Sequence, residues 1–144
     1  MKSTALISTD RRPDPGSWAV LLPVVPVPAS RPRVTRVGRV YYGKNYTRFR
    51  NECNALLEES EFPPEFPLTG PLDVSVRFIV AKPKTTKRSY PRGDVDNYFK
   101  TLDVLNQVVW QDDDQIIVGV MEKIYGDPPR IELEITPIER ISAA

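Results

Sequence analysis

The segment RGDVDNYFKTLDVLNQVVWQDDDQI, residues 92–116, places Asp94 and Asp96 before a helix-like run and Asp112, Asp113 and Asp114 after it. Carboxylates brought to one place repel one another and raise each other's pKa values unless a cation sits among them. The chain has no histidine and a single cysteine, Cys53, within an apolar pattern. Only oxygen ligands are on offer, which points to Mg²⁺, with Mn²⁺ as substitute, rather than zinc. Hard-oxygen sites of this kind serve phosphate chemistry. Lys100, four residues after Asp96, suits either an i,i+4 ion pair of about 0.2–0.5 kcal/mol or a cation for a phosphate or leaving oxygen. The acids also have ordinary explanations. Asp94 and Asp96 can cap a helix start for about 0.3–1 kcal/mol each, and an aspartate run can be a solvated turn.

Bringing the two clusters together requires a helix between them and a strand after them. A helix is expected near 96–107, with Tyr98, Phe99, Leu102 and Leu105 on its apolar face. Upstream, LDVSVRFIV alternates Leu72, Val74, Val76, Phe78 and Val80 against polar residues, the period of a half-buried strand. If the strand after Asp114 runs beside that one, both clusters reach one end of the sheet. IIVGVMEKIY and RIELEITP read as two strands joined at GDPP in an antiparallel hairpin. SWAVLLPVV is a short strand ended by Pro23. Phe49, Cys53, Leu56 and Leu57 predict a helix over 48–59 with Thr47 as its N-cap. Together these predict an α+β fold: one domain over 1–144, a mixed sheet of about four strands packed with two main helices, and a basic extended arm. Residues 1–16 and 138–144 are expected as flexible tails.

The net charge of +1 hides a segregation along the chain. Residues 31–50 hold seven Lys or Arg and no acid, and 82–92 hold five more, again without an acid. An acidic centre repels a polyanion unless cations around it supply the binding free energy, which Lys and Arg do through counterion release from phosphates. The arm at 26–46, rich in proline and arginine, suits an extended segment or a hairpin turning at Gly38. One cysteine permits no internal disulfide and fits a reducing, cytoplasmic setting. The N-terminal residues lack a signal peptide's apolar centre, and no run is long enough to span a membrane, so a soluble, unprocessed protein is expected.

In DVDNYFK at 94–100, LDVLNQVVWQDDDQI at 102–116 and the arm PVPASRPRVTRVGRVYYG, the sequence resembles the RusA-type Holliday junction resolvases. The resemblance spans roughly residues 20–137. It implies that Asp94, Asp96 and Asp113 are the metal-binding catalytic carboxylates and that Lys100 is the motif lysine. It also implies a Mg²⁺-dependent homodimer that cuts opposed strands of four-way junction DNA in recombination and repair, with no organic cofactor or membrane. Two departures from the family pattern stand out. The interval from Lys100 to Asp103 is one residue shorter than usual, which would turn Asp103 off the metal side. Asp114 stands where the family often has a small or neutral residue, so the acidic pair is Asp112 with Asp113 or Asp113 with Asp114.

In this reading Asp112, Asp114 and Asp103 are further metal ligands or supports for them. Arg31, Arg33, Arg36, Arg39, Lys84, Lys87, Arg88 and Arg92 hold the DNA arms, and Tyr41, Tyr42 or Tyr90 stack on unpaired bases. Two rival readings remain open: a non-catalytic branched-DNA-binding protein whose acids only order the helix, and a nuclease for other branched DNA.

Overall fold

The computed structural model describes residues 7–8, 16–30, 33–41 and 43–139, with backbone alone at 7, 8, 33, 40 and 41. Arg31 and Tyr42 lie outside the described residues, as do the side chains of Arg33 and Tyr41.

The centre of the fold is β5 (Leu72–Val80), whose alternation buries Leu72, Val74, Val76 and Phe78 on one face. It belongs to a five-stranded mixed sheet in the order β1-β2-β7-β5-β6. The other members are β1 (Ile7–Ser8), β2 (Trp18–Leu22), β6 (Ile116–Tyr125) and β7 (Arg130–Pro137). Four long strands on one α+β sheet agree with the expected architecture. Ile7 pairs with Val20, so part of the segment expected as a tail joins the sheet. Pro23 follows the last residue of β2, as its missing N–H requires.

The expected hairpin between β6 and β7 does not form. Both strands exist, but β5 lies between them, parallel to β6 and antiparallel to β7. Placing the most apolar strand at the centre covers both of its edges, and this outweighs the short connection that favours a local hairpin. The link from β6 to β7 steps over the end of β5, where Gly126 N–H donates to the Val80 carbonyl at 3.0 Å. A Cβ on Gly126 would lie 2.7 Å from Ile79 Cγ2, so this approach needs a residue without one.

One face of the sheet carries the helical layer. Helix α1 (Lys44–Glu59) buries Tyr46, Phe49, Cys53 and Leu57 at helical spacing against it. It begins four residues earlier than expected, with Gly43 and not Thr47 at the N-cap, because Tyr46 belongs to the buried stripe and extends it by a turn. Burial pushes the Cys53 thiol up to about 12, as expected of a small core side chain rather than a nucleophile.

The second helical segment departs further from expectation. An α-helical turn, α2 (Val95–Phe99), tightens into a 3₁₀ segment over Lys100–Leu105. Tyr98, Thr101 and Val104 recur every three residues, as do Leu102 and Leu105, and all five are buried. Three residues per turn keeps such a set on one face, and the Thr101 hydroxyl ties the junction by donating to the Tyr98 carbonyl at 2.6 Å. The segment ends at Gln107, the one non-glycine with positive φ among the described residues, at 69°. A side chain there costs about 1–2 kcal/mol. Gln107→Gly should therefore stabilise the protein by about 0.5–1 kcal/mol, less what is lost with the Gln107 Nε2 bond to the Gln111 carbonyl. Urea midpoints for the two proteins check this.

The arm forms a small hairpin, β3 (Arg33–Val34) with β4 (Val40–Tyr41), turning through Gly38 at φ 82°. Thr35 closes it from both sides: its N–H donates to the Arg39 carbonyl at 2.8 Å and its Oγ1 accepts from Arg39 N–H at 3.0 Å.

Candidate active site

Because β6 runs parallel to β5, the chain must return along the sheet between them, and α2 with its 3₁₀ extension makes that return. Its packing against β6 is close: a Cβ on Gly119 would come 3.3 Å from the ring of Phe99. Asp94 and Asp96 stand at its start, and Asp103 lies within the 3₁₀ turn. Asp112 to Asp114 stand just before β6.

Asp94 occupies the N-cap position, with its backbone carbonyl accepting from Asn97 and Tyr98. Its carboxylate, however, makes no capping bond. Asp96 is likewise exposed, and neither carboxylate has a hydrogen-bond or ion-pair partner among the described residues. Capping by side chain therefore does not account for these two acids. Lys100 is exposed, and its Nζ donates to Asn97 Oδ1 at 3.4 Å rather than pairing with Asp96.

The second cluster is differentiated. Asp112 is an N-cap: its Oδ1 accepts from Asp114 N–H at 3.1 Å, and its own N–H donates to Gln115 Oε1 at 2.8 Å. Gln115 Nε2 reaches the carbonyls of Leu68 at 3.0 Å and Gly70 at 2.9 Å, locking the turn to the chain before β5. Asp-x-x-Gln before an apolar run is a sequence signature of this capping box. It was available in residues 112–115 and assigns Asp112 a structural task. The Asp114 side chain is exposed and has no partner among the described residues.

Asp113 is the strained member. Although Asp113 is exposed as a residue, partial desolvation of its carboxyl, then the adjacent Asp112 carboxyl and the charge of Asp103, push it above the ordinary range, while a bond from the Asn106 side chain acts in the opposite sense. Asn106 is itself oriented, since its Oδ1 accepts from Trp110 Nε1 at 2.7 Å and so leaves the amide nitrogen for Asp113. Asp112 is held below the ordinary range, first by the Asp114 backbone N–H and then by its contact with Asp113. Asp103 is committed to Arg50 on α1, whose Nη1 lies 2.8 Å from Asp103 Oδ1 and 3.2 Å from Tyr46 Oη. Both partners are partly exposed, so this pair is worth roughly 0–1 kcal/mol.

The two shifts have opposite consequences for stability. Asp113, with its raised folded value, contributes stability below its unfolded pKa of about 4, and this is lost as pH rises through the folded value. Asp112, with its lowered value, contributes above the unfolded pKa and loses that contribution as pH falls through the folded one. Asp113→Asn should therefore stabilise the metal-free protein at neutral pH by a few tenths of a kcal/mol after solvent screening. The gain should vanish near pH 3, where Asp113 is protonated in any case; thermal melts at the two pH values check it.

The acids thus fall into groups rather than one knot. Asp103 and Asp112 are the charges acting on Asp113, and neither Asp94 nor Asp96 is among them. Among the described residues no three His, Cys, Asp or Glu side chains are placed to hold one metal ion directly. The donor chemistry nevertheless fits a hard divalent cation. Asp94 and Asp96 are uncommitted, and Asp113 carries a repulsion that a cation relieves.

The described basic residues of the arm and of the loop before Asp94 are not neutralised by acids either. Arg36, Arg39, Lys84, Lys87 and Arg92 are exposed, and among the described residues none pairs with an acid. Arg88 lies 4.5 Å from the centre of the Tyr90 ring, which is 54% exposed. The arm is tied to the acidic segment where Ala29 N–H donates to the Asn97 carbonyl at 2.8 Å.

Uncommitted oxygen donors and unpaired cations carried by one α+β fold suit a protein that works on polyanions, nucleic acid above all. Residues 23–136 match the family of the endodeoxyribonuclease RusA, and the chain belongs to that family, whose nucleases act on Holliday junction DNA. The chain is also 29% identical to the uncharacterized protein YqaN of Bacillus subtilis (strain 168), over 78% of this chain and 91% of that one.

Sequence reasoning passed over Arg50, Asn106, Tyr98 and Lys123 as supports of the site. Asn106, inside the D-x-L-N segment, carried a local signal, and Tyr98 reaches a carbonyl only six residues upstream; Arg50 and Lys123 act across long separations in the chain.

Proposed function

We propose that this protein is a Mg²⁺-dependent resolvase that acts as a homodimer and places paired, symmetric nicks in four-way DNA junctions. Asp94, Asp96 and Asp113 would hold the ion, with Mn²⁺ as substitute; when bound, it supplies Lewis-acid stabilisation of phosphate charge and a more acidic bound water. Lys100, engaged only by a weak bond to Asn97, offers its ammonium to the phosphate. Asn106, oriented by Trp110, would help to orient Asp113, while Arg50 holds Asp103 out of competition for the ion. Arg31, Arg33, Arg36, Arg39, Lys84, Lys87, Arg88 and Arg92 bind the arms of the junction. One site per subunit suits a two-fold substrate. A reduced core cysteine and a DNA substrate are consistent with the cytoplasm.

The observation that carries this reading is the state of Asp94 and Asp96: exposed, free of a capping bond, and flanked in the chain by Arg92 and Lys100, which pair with no acid among the described residues. The test is a synthetic four-way junction incubated with Mg²⁺ or with EDTA, beside flaps and three-way forks. Paired nicks in the junction with Mg²⁺ alone are the expected result. Preferential cutting of flaps or forks would reassign the substrate to other branched DNA.

The absence of three converging acids among the described residues favours a second reading, a branched-DNA-binding protein without catalysis. It predicts salt-sensitive binding that ignores Mg²⁺ and no nicks at any concentration of Mg²⁺ or Mn²⁺.

A further inference from the structure

The three backbone carbonyls immediately before Asp94 are each held by a side chain from elsewhere. Lys123 on β6 donates its ammonium to the Pro91 carbonyl at 2.8 Å and also to the Gly93 carbonyl. Between them, the Arg92 carbonyl accepts from the Tyr98 hydroxyl at 2.8 Å. Tyr98 is 3% exposed and fixed against Phe78, with ring centroids 5.5 Å apart. The chain is confined at this point as well. Gly93 has φ +94°, and a Cβ there would meet Pro28 Cγ and Tyr98 Cε2, each at 3.2 Å.

Asp94 itself makes no side-chain bond, so the direction of its carboxylate depends on the backbone that carries it. Lys123 is only partly exposed and has no carboxylate partner among the described residues. Its ammonium has three donors, two of which go to these carbonyls, and it also lies 5.7 Å from the centre of the Tyr90 ring. A lysine used in this way holds a loop.

We propose that Lys123 is a positioning residue: by gripping the Pro91 and Gly93 carbonyls it fixes the backbone that presents the Asp94 carboxylate to its ligand. The role in metal binding rests on the reading of Asp94 given above; the role in holding the loop does not. A purely electrostatic role would act with the opposite sign, because removing a cation beside acidic groups tightens their hold on a divalent ion.

The experiment compares wild type, Lys123→Met and Lys123→Arg, with Tyr98→Phe as a second route to the same backbone should Lys123→Met fail to fold. Amide hydrogen exchange is followed over residues 92–97, and Mn²⁺ binding to the DNA-free protein is measured by electron paramagnetic resonance. Lys123→Met should speed exchange in that window and weaken Mn²⁺ binding about tenfold. Lys123→Arg should recover most of both, and Tyr98→Phe should shift both less in the same direction. Unchanged exchange, or Mn²⁺ binding that is unchanged or tighter, overturns the proposal. A wild type that neither binds Mn²⁺ nor cuts junctions removes the proposed nuclease function instead. The exchange data would then still decide whether Lys123 holds the loop.

Discussion

Asp96→Asn should eliminate junction cutting while leaving the protein folded and bound to DNA. The Asp96 side chain is exposed and has no partner among the described residues, so its charge can be removed without orphaning another group. If it holds the ion, the loss in cleavage rate should reach about 10³-fold, equivalent to ~4 kcal/mol in the barrier. Junction affinity should stay level or rise, since a negative charge beside phosphates is gone. Single-turnover cleavage and gel-shift titration on one junction separate the two quantities. Undiminished cutting would exclude Asp96 from the catalytic set, and loss of fold would return it to a structural role.

Trp110→Ala should bring the largest loss of stability. The indole is completely buried and belongs to the core beneath the acidic segment. Truncating an aromatic of this size costs about 3–5 kcal/mol, a large part of the 5–15 kcal/mol typical of a domain. The damage should reach Asp113 too, because Trp110 Nε1 fixes the Asn106 amide. Trp110→Phe separates the effects: it keeps most of the packing but removes the donor. It should lose clearly less in urea midpoint than Trp110→Ala, since the cavity is smaller, yet disturb the Asp113 carboxyl, visible as a changed carboxylate titration by NMR.

What the sequence disclosed follows from the range of the forces involved. The alternation in β5 and the apolar stripe of α1 are local patterns; β5 appears where expected, and α1 does too apart from an extra turn at its start. The strands β6 and β7 were equally legible, but their pairing was not: it depends on competition with β5, a non-local choice. The 3₁₀ winding of residues 100–105 was latent in the three-residue recurrence of Tyr98, Thr101 and Val104, although a window tuned to 3.6 residues reads it as ordinary helix. The acids were visible as candidates, whereas their individual tasks were not. Asp103 is taken by Arg50 from 53 residues away, and Lys123 reaches carbonyls 32 and 30 residues upstream. Such partnerships exist only once the sheet has formed.

The central place of β5 has a kinetic consequence. Both of its neighbours, β6 and β7, lie in the last part of the chain, so during synthesis β5 waits with two unsatisfied edges until residue 116 and beyond emerge. Pairings of such long sequence separation are slow to close, and the acidic segment finds its final setting only when they do. A nascent or truncated chain ending before β6 would thus carry the aspartates without the framework that sets them, and the acidic segment would be complete only at the end of folding.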